Sequence, residues 1–296
     1  MNKIKDYLQL VKLSLSIMVV FSSVISYLLA PGVEFDWWRI FLLFAGGLLV
    51  TGSANTINQV VEKDTDAMMK RTANRPIASG RMSAREGWGF AIFTGALGVF
   101  ILGNYFNWTA AGIAAFSLFL YAFIYTPLKK VNSIAVMVGA VPGALPCLIG
   151  WVAGFAPGEE VDWLAGGVLF LIQFFWQFPH FWAIAWIAHN DYSAAGFKLL
   201  PADKGPTRFT ALQTVIYSLL LLPVTMAPYF DFVGICTFDT TAGLIGLMLV
   251  IAANLFMVMR CAMLYAKMDI PSARRVMFGS YLYLPVVLLA LLLSKV

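Results

Sequence analysis

The sequence predicts an all-α, polytopic membrane protein of about nine transmembrane helices, and three observations carry that expectation. The chain of 296 residues is 60% hydrophobic and 12% charged, with a mean hydropathy of +0.81, whereas soluble domains run near 45–50% apolar and about 25% charged. Its apolar residues form continuous runs close to the roughly 20 that a bilayer-crossing helix needs. A membrane barrel would show alternating segments of about ten residues instead, and only helices and closed barrels satisfy their backbone in lipid. The charges, finally, are gathered between the runs.

Hydropathy places the spans at 13–30, 39–58, 88–103, 107–125, 132–154, 163–188, 209–228, 240–260 and 276–294. The first follows Met-Asn-Lys-Ile-Lys-Asp with no small-residue cleavage site, so it reads as a retained anchor. If the connections alternate between sides, one side receives the N-terminus and loops 59–87, 126–131, 189–208 and 261–275. That side holds 18 of the 20 basic residues, Lys204 among them, with eight acidic ones, a net +10; the other holds Arg39, Lys295 and seven acidic residues, a net −5. The positive-inside rule makes the N-terminus cytoplasmic and the C-terminus external, in a bacterial plasma (inner) membrane. The overall +5 is therefore a topological signal and implies no nucleic-acid partner. Cys147, Cys236 and Cys261 fall at separate depths, which implies neither a disulfide framework nor a thiol metal site. One integral-membrane domain, 1–296, is expected, with active-site loops 59–87 and 189–208, because long loops in a compact protein usually carry function.

The second span runs into a polar series. Thr51, Asn55, Asn58, Glu62 and Asp66 recur every three or four positions and should share one helical face. Amide and carboxylate oxygens one turn apart suit Mg²⁺ that also holds substrate phosphates. Lys70, Arg71 and Arg75 follow and supply cations for the same phosphates. The competing reading is a solvated helix end with ordinary positive-inside charge. Asn55 and Asn58 argue against it, since polar groups at membrane depth face a bundle interior or cavity. Asp64 points off this face.

These residues resemble the first aspartate-rich motif of the UbiA-type membrane prenyltransferases, Asn-x-x-x-Asp-x-x-x-Asp. Here it stands as Asn58-x-x-x-Glu62-x-x-x-Asp66, with Glu for the middle Asp. A second family feature, Tyr-x-x-x-Lys after the fourth span, is matched by Tyr125 and Lys129. Three stretches resemble the heme O synthase, or protoheme IX farnesyltransferase, branch: 69–76; 132–151, with Gly-Ala-Val-Pro-Gly-Ala-Leu-Pro at 139–146; and Trp176-Gln-Phe-Pro-His-Phe-Trp, followed by Asp191-Tyr192. The branch has a reduced second aspartate motif, and this chain keeps Asp191 with Ala195 four residues on.

The resemblance implies a helical bundle around a central cavity. It implies farnesyl diphosphate and heme b as substrates, Mg²⁺ as cofactor, the lipid bilayer as setting, and heme A synthase or a terminal oxidase assembly as partner. In that scheme Asn58, Glu62, Asp66 and Asp191 hold metal; Lys70, Arg71, Arg75, Lys129 and Lys198 hold diphosphate; and Tyr125 meets its leaving oxygen. His180 and His189, the two histidines, and Trp176 are candidates for heme contact. For His180 a bland alternative stands beside this one: a histidine bonded to the carbonyl that Pro179 frees. Two other functions remain in view, transfer of the prenyl group to a quinone or other aromatic acceptor, and secondary transport. Transporters tend to show inverted repeats and paired broken helices, and no such repeat is evident.

Overall fold

A computed structural model describes residues 3–201 and 205–296; Lys204 lies outside the described residues. The elements are α1 (Lys3–Leu10), α2 (Leu13–Leu29), α3 (Trp37–Val61), α4 (Lys63–Met68), α5 (Ala84–Tyr105), α6 (Trp108–Phe119), a π-helical turn (Leu120–Tyr125), α7 (Thr126–Leu128), α8 (Ala135–Ala153), α9 (Trp163–Ile187), α10 (His189–Ala194), α11 (Arg208–Met226), α12 (Thr241–Lys267) and α13 (Ile270–Leu293). Among the described residues eight helices, counting 108–128 as one, are long and apolar enough to cross a membrane, and the bent pair α1–α2 makes a ninth.

Helix starts follow side-chain caps. Asp36, Ser83, Asn107, Asp162, Thr207, Thr240 and Asp269 each accept a backbone N–H in the first turn of the helix they precede, satisfying donors that no earlier turn can reach. One boundary differs from expectation. The connection at 261–275 shrinks to Met268 and Asp269, because α12 runs on through Arg260 to Lys267 and α13 already contains Arg274 and Arg275. Falling hydropathy there marks the membrane surface, whereas the helix ends where Met268 turns left-handed (φ 55°) and Asp269 caps the next.

The first span is also more than one rod. Lys12 is left-handed (φ 49°, ψ 57°) between α1 and α2, which meet at 47°. Such a bend frees backbone carbonyls inside the protein, and these need donors. Gln59 Nε2 donates to Leu10 O (2.7 Å), Asn55 Nδ2 to Val11 O (3.3 Å), and Ser16 Oγ also to Val11 O (2.7 Å). Asn55 thus serves the bend, and its side chain is engaged there and with Ser16 Oγ.

The spans form two groups. α2, α3, α5, α6 and α8 pack in one, and α9, α11, α12 and α13 in the other, joined where α8 meets α9 and α13 meets α2. Small residues let backbones approach closely, the usual device where lipid gives helices no hydrophobic drive to associate. A Cβ on Gly150 of α8 would collide with the Ser23 carbonyl of α2, and one on Gly98 of α5 would lie 2.7 Å from the Gly46 carbonyl of α3. α8 is the most enclosed span and the 108–128 span the most lipid-exposed. At one end of the bundle, Lys295 Nζ donates to Leu28 O (2.7 Å) and Ala30 O (2.8 Å) at the C-terminus of α2. The loops carrying the polar series lie at the other end. All three cysteines are buried and free.

Gly150→Val is therefore expected to cost at least about 1–3 kcal/mol, the range for overpacking, and to lower the melting temperature in detergent. Gly112→Ala, where an added Cβ meets nothing within 4 Å, should leave it unchanged or raise it slightly.

Candidate active site

The chain breaks at the end of α3. Glu62 leaves helical geometry (φ −95°, ψ 11°) and α4 restarts at Lys63, so the polar series is not one straight helical face. The helical hydrogen bonds Glu62 N→Asn58 O and Asp66 N→Glu62 O (3.0 and 2.7 Å) nonetheless persist across the break. They keep Asn58, Glu62 and Asp66 in line, all buried and all lining one cavity of about 190 Å³. Thr51 and Asn55 are not in that lining, and Asp64 is exposed as its register implies.

Both carboxylates are paired. Arg75 Nη1 donates to Asp66 Oδ1 and Oδ2 (2.8 and 2.7 Å), and Lys129 Nζ lies 2.5 Å from Glu62 Oε1. Asp66 is fully buried, so its charge is tolerable only beside Arg75. Burial pushes the Lys129 ammonium below the usual lysine range, and the Glu62 carboxylate pulls it back up.

The loop carrying Arg75 is fastened in turn. Thr72 Oγ1 donates to Asp66 O (2.8 Å), and Arg81 holds Asp6 of α1 (2.9 Å) and the Asn74 carbonyl (2.9 Å). Arg71 reaches across the cavity mouth, donating to Tyr192 Oη (2.8 Å) with its guanidinium 5.3 Å above that ring.

Tyr125 and Tyr121 come from the π-helical turn, four residues apart, with ring centroids 5.2 Å apart. Extra-wide turns of this kind recur at functional sites. Gly139 of α8 makes the room, since a Cβ there would sit 2.5 Å from the Tyr125 ring. Lys129 Nζ lies 4.8 Å from the centroid of the same ring. Deeper in, Leu15, Val136, Phe181 and Ile184 give the cavity an apolar wall.

Several lining residues were given no site role by sequence reasoning, Lys12, Tyr121 and Tyr192 among them. Lys12 is buried-facing at the α1–α2 bend, its Nζ 3.4 Å from Asn58 Oδ1. Among the described residues neither it nor Arg71 forms an ion pair, whereas the cavity's other two cations, Arg75 and Lys129, are paired. A single lysine abutting the first apolar run was its signal, indistinguishable there from positive-inside charge. Tyr121 was legible as the aromatic one turn before Tyr125.

Other expected site residues lie elsewhere. Lys70 is exposed and outside the cavity lining, because it follows Met69, whose side chain turns inward to pack with Ala195 and Phe197. Lys198 and His189 line a neighbouring hollow, and Asp191, half-buried on α10, lines neither. Among the described residues no three His, Cys, Asp or Glu side chains gather as metal ligands; of the four expected ligands, Asn58, Glu62 and Asp66 line the cavity.

His180 and Trp176 tie α9 to α13. Trp176 Nε1 donates to Ser280 O (2.8 Å) and its ring stacks on His180 (4.9 Å, 14°). Ser280 Oγ donates to Met277 O (2.6 Å), so His180 donates from Nδ1 to Ser280 Oγ (2.7 Å). The partner is a hydroxyl, not the carbonyl freed by Pro179, and neither residue lines either of these two hollows.

Buried carboxylates, cations and tyrosines thus share one cavity with an apolar wall at one end of the bundle. The chain belongs to the UbiA prenyltransferase family, which matches residues 19–293, and it is an integral membrane protein. It is 42% identical over 300 residues to the protoheme IX farnesyltransferase of Cytophaga hutchinsonii, covering 100% of this chain and 99% of the relative. It is 40% identical over 292 residues to that of Flavobacterium johnsoniae, covering 98% and 94%. The fold matches a solved structure of digeranylgeranylglyceryl phosphate synthase (TM-score 0.77, 20% identity, 99% of each chain). It also matches a UbiA homologue from Archaeoglobus fulgidus bound to GPP and Mg²⁺ (TM-score 0.64, 16% identity, 97% and 99%).

Lys129→Met leaves Glu62 buried without its cation and is expected to cost about 3–5 kcal/mol, read as a fall in melting temperature. The double variant Glu62→Gln/Lys129→Met should recover most of that loss.

Proposed function

We propose that the protein transfers the farnesyl group of farnesyl diphosphate to a vinyl group of heme b, with addition of water, giving heme O and diphosphate. The observation that carries the reading is the cavity that places Asn58, Glu62 and Asp66 opposite Arg75, Lys129 and Lys12 at the mouth of an apolar chamber. Full-length likeness to protoheme IX farnesyltransferases supplies the acceptor and disfavours both a quinone acceptor and a transporter. Hand-over of the product to heme A synthase or a terminal oxidase assembly belongs to the same reading.

The donor set fits Mg²⁺. Asn58, Glu62 and Asp66 offer hard oxygens at one-turn spacing; Asn58 Oδ1 accepts from Lys12 Nζ at the long distance of 3.4 Å and its Nδ2 is buried without a hydrogen-bond partner, so the amide has capacity left for an arriving ligand. Mg²⁺ held there would neutralise charge on the diphosphate and so favour its departure. Arg75 and Lys129, which pair with Asp66 and Glu62, also line the cavity and would hold the phosphate oxygens. Lys12 adds a further cation, and Arg71 closes over the outer phosphate. These groups stabilise the negative charge that develops as the allylic C–O bond breaks.

The Tyr125 and Tyr121 rings, both in the cavity lining, would stabilise the allylic cation over their faces. Leu15, Phe181 and Ile184 keep water from it. The vinyl carbon then bonds to the farnesyl carbon, and water adds to the resulting porphyrin-side cation, losing a proton. The bundle end bearing the cavity faces the cytoplasm, with the C-terminus outside, in a bacterial plasma membrane.

Purified protein with Mg²⁺, heme b and farnesyl diphosphate should yield a heme heavier by a farnesyl group plus water, seen by mass spectrometry. Glu62→Gln and Asp66→Asn should each lower the rate by about 10²-fold or more; full activity in both would remove the carboxylates from the reaction. For topology, a cysteine placed at Gly158 in a chain lacking Cys147, Cys236 and Cys261 should react with an impermeant maleimide from outside intact cells. One placed at Lys130 should react only after permeabilisation.

A further inference from the structure

A second hollow, of about 300 Å³, backs onto the donor cavity. Ala185, Tyr192, Phe197 and Leu199 line both, so one thin wall separates them. Its centre is two rings set edge to face, Tyr192 and Phe197, 5.9 Å apart at 72°, closed by a Phe197 N→Tyr192 O bond of 2.9 Å. On the donor side of the wall stand the cations already described: Arg71 over Tyr192 and Lys129 Nζ 5.5 Å from the Phe197 ring centroid.

The far side has its own polar groups, and the donor chemistry does not use them. His189, Ser193 and Lys198 line this hollow, and among the described residues none of its lining is acidic. The His189 ring is held in place: Ser193 Oγ lies 3.4 Å from both ring nitrogens, and the ring packs on Gly205 (φ +90°), where a Cβ would come within 2.6 Å of Nε2. Lys198 is anchored through its backbone, donating to Lys129 O (2.9 Å). One backbone contact therefore joins two lysines whose side chains serve different hollows.

We propose that this hollow is the carboxylate subsite of the acceptor, in which Lys198, His189 and Ser193 hold a propionate of the porphyrin; the proposal rests on the farnesyl-transfer reading above. Heme b carries its two propionates on one half of the ring and its vinyl groups on the other. The reacting vinyl must come within about 3–3.5 Å of the allylic carbon, which lies beside the diphosphate. An acceptor whose vinyl meets that carbon at the Tyr192–Phe197 wall extends its opposite half away from the donor cations. Charged propionates need charge-assisted donors, and Lys198 and His189 supply them without competing for phosphate. Lys198 is thereby an acceptor residue and not a diphosphate ligand.

The test compares heme b with its dimethyl ester, whose propionates are masked, in steady-state transfer and in binding followed by the Soret band. Lys198→Gln and His189→Gln should each raise the KM and Kd for heme b about tenfold and leave the KM for farnesyl diphosphate unchanged. The ester should bind wild type as weakly as the variants bind heme b, and the variants should not weaken it further. An equal loss for heme b and ester, a rise in the farnesyl diphosphate KM instead, or no change would overturn the subsite while wild type still makes product. Failure of wild type to transfer the farnesyl group at all would overturn the functional reading itself.

Discussion

Two carboxylates are held inside this bundle because two cations reach them from other parts of the chain. Glu62 meets Lys129 from the end of the fourth span, and Asp66 meets Arg75 from the loop that follows α4. An unpaired charge at such depth would cost several kcal/mol, so the position of each partner is fixed by the other. The loop after α4 must fold back over the bundle, and the fourth span must continue past its apolar run to present Lys129. Arg81, Thr72 and the π-helical turn support those two demands.

The same constraint divides the polar residues of α3 by task. Asn55 and Gln59 face the bend at Lys12 and satisfy carbonyls that the left-handed residue uncovers. Asn58 and Glu62, offset from them by a few residues, face the cavity. A single helix thereby holds the first span in its bent form with one face and builds the reactive chamber with the next. The bend in turn carries Lys12 Nζ to Asn58, so the structural face and the chemical face meet at one ammonium group.

Where the sequence was legible, a single physical requirement dominated. Spans such as 163–188 were readable because lipid demands an apolar run of set length, and the structure ends that helix at Ile187. Asn58, Glu62 and Asp66 were readable because one-turn spacing survives the break at Glu62. Requirements between distant segments left no such trace. Nothing local marks Lys12 as left-handed, a conformation that usually selects Gly or Asn. Arg260 and Arg274 lowered hydropathy without ending their helices. His180 has the composition of a ligand, yet its Nδ1 is hydrogen-bonded to the hydroxyl of Ser280, 100 residues away. Asp191 follows the family pattern in order but sits on the side of α10 that leaves the cavity to Tyr192.

Lys295 closes the bundle at the end remote from the chemistry. Its ammonium sits on the carbonyls of Leu28 and Ala30, where the dipole of α2 concentrates negative charge. Lys295 lies just past α13, yet its ammonium completes the end of α2, 265 residues earlier in the chain. The end of α13 and the end of α2 are therefore tied to each other, and a disturbance of either is felt at the other.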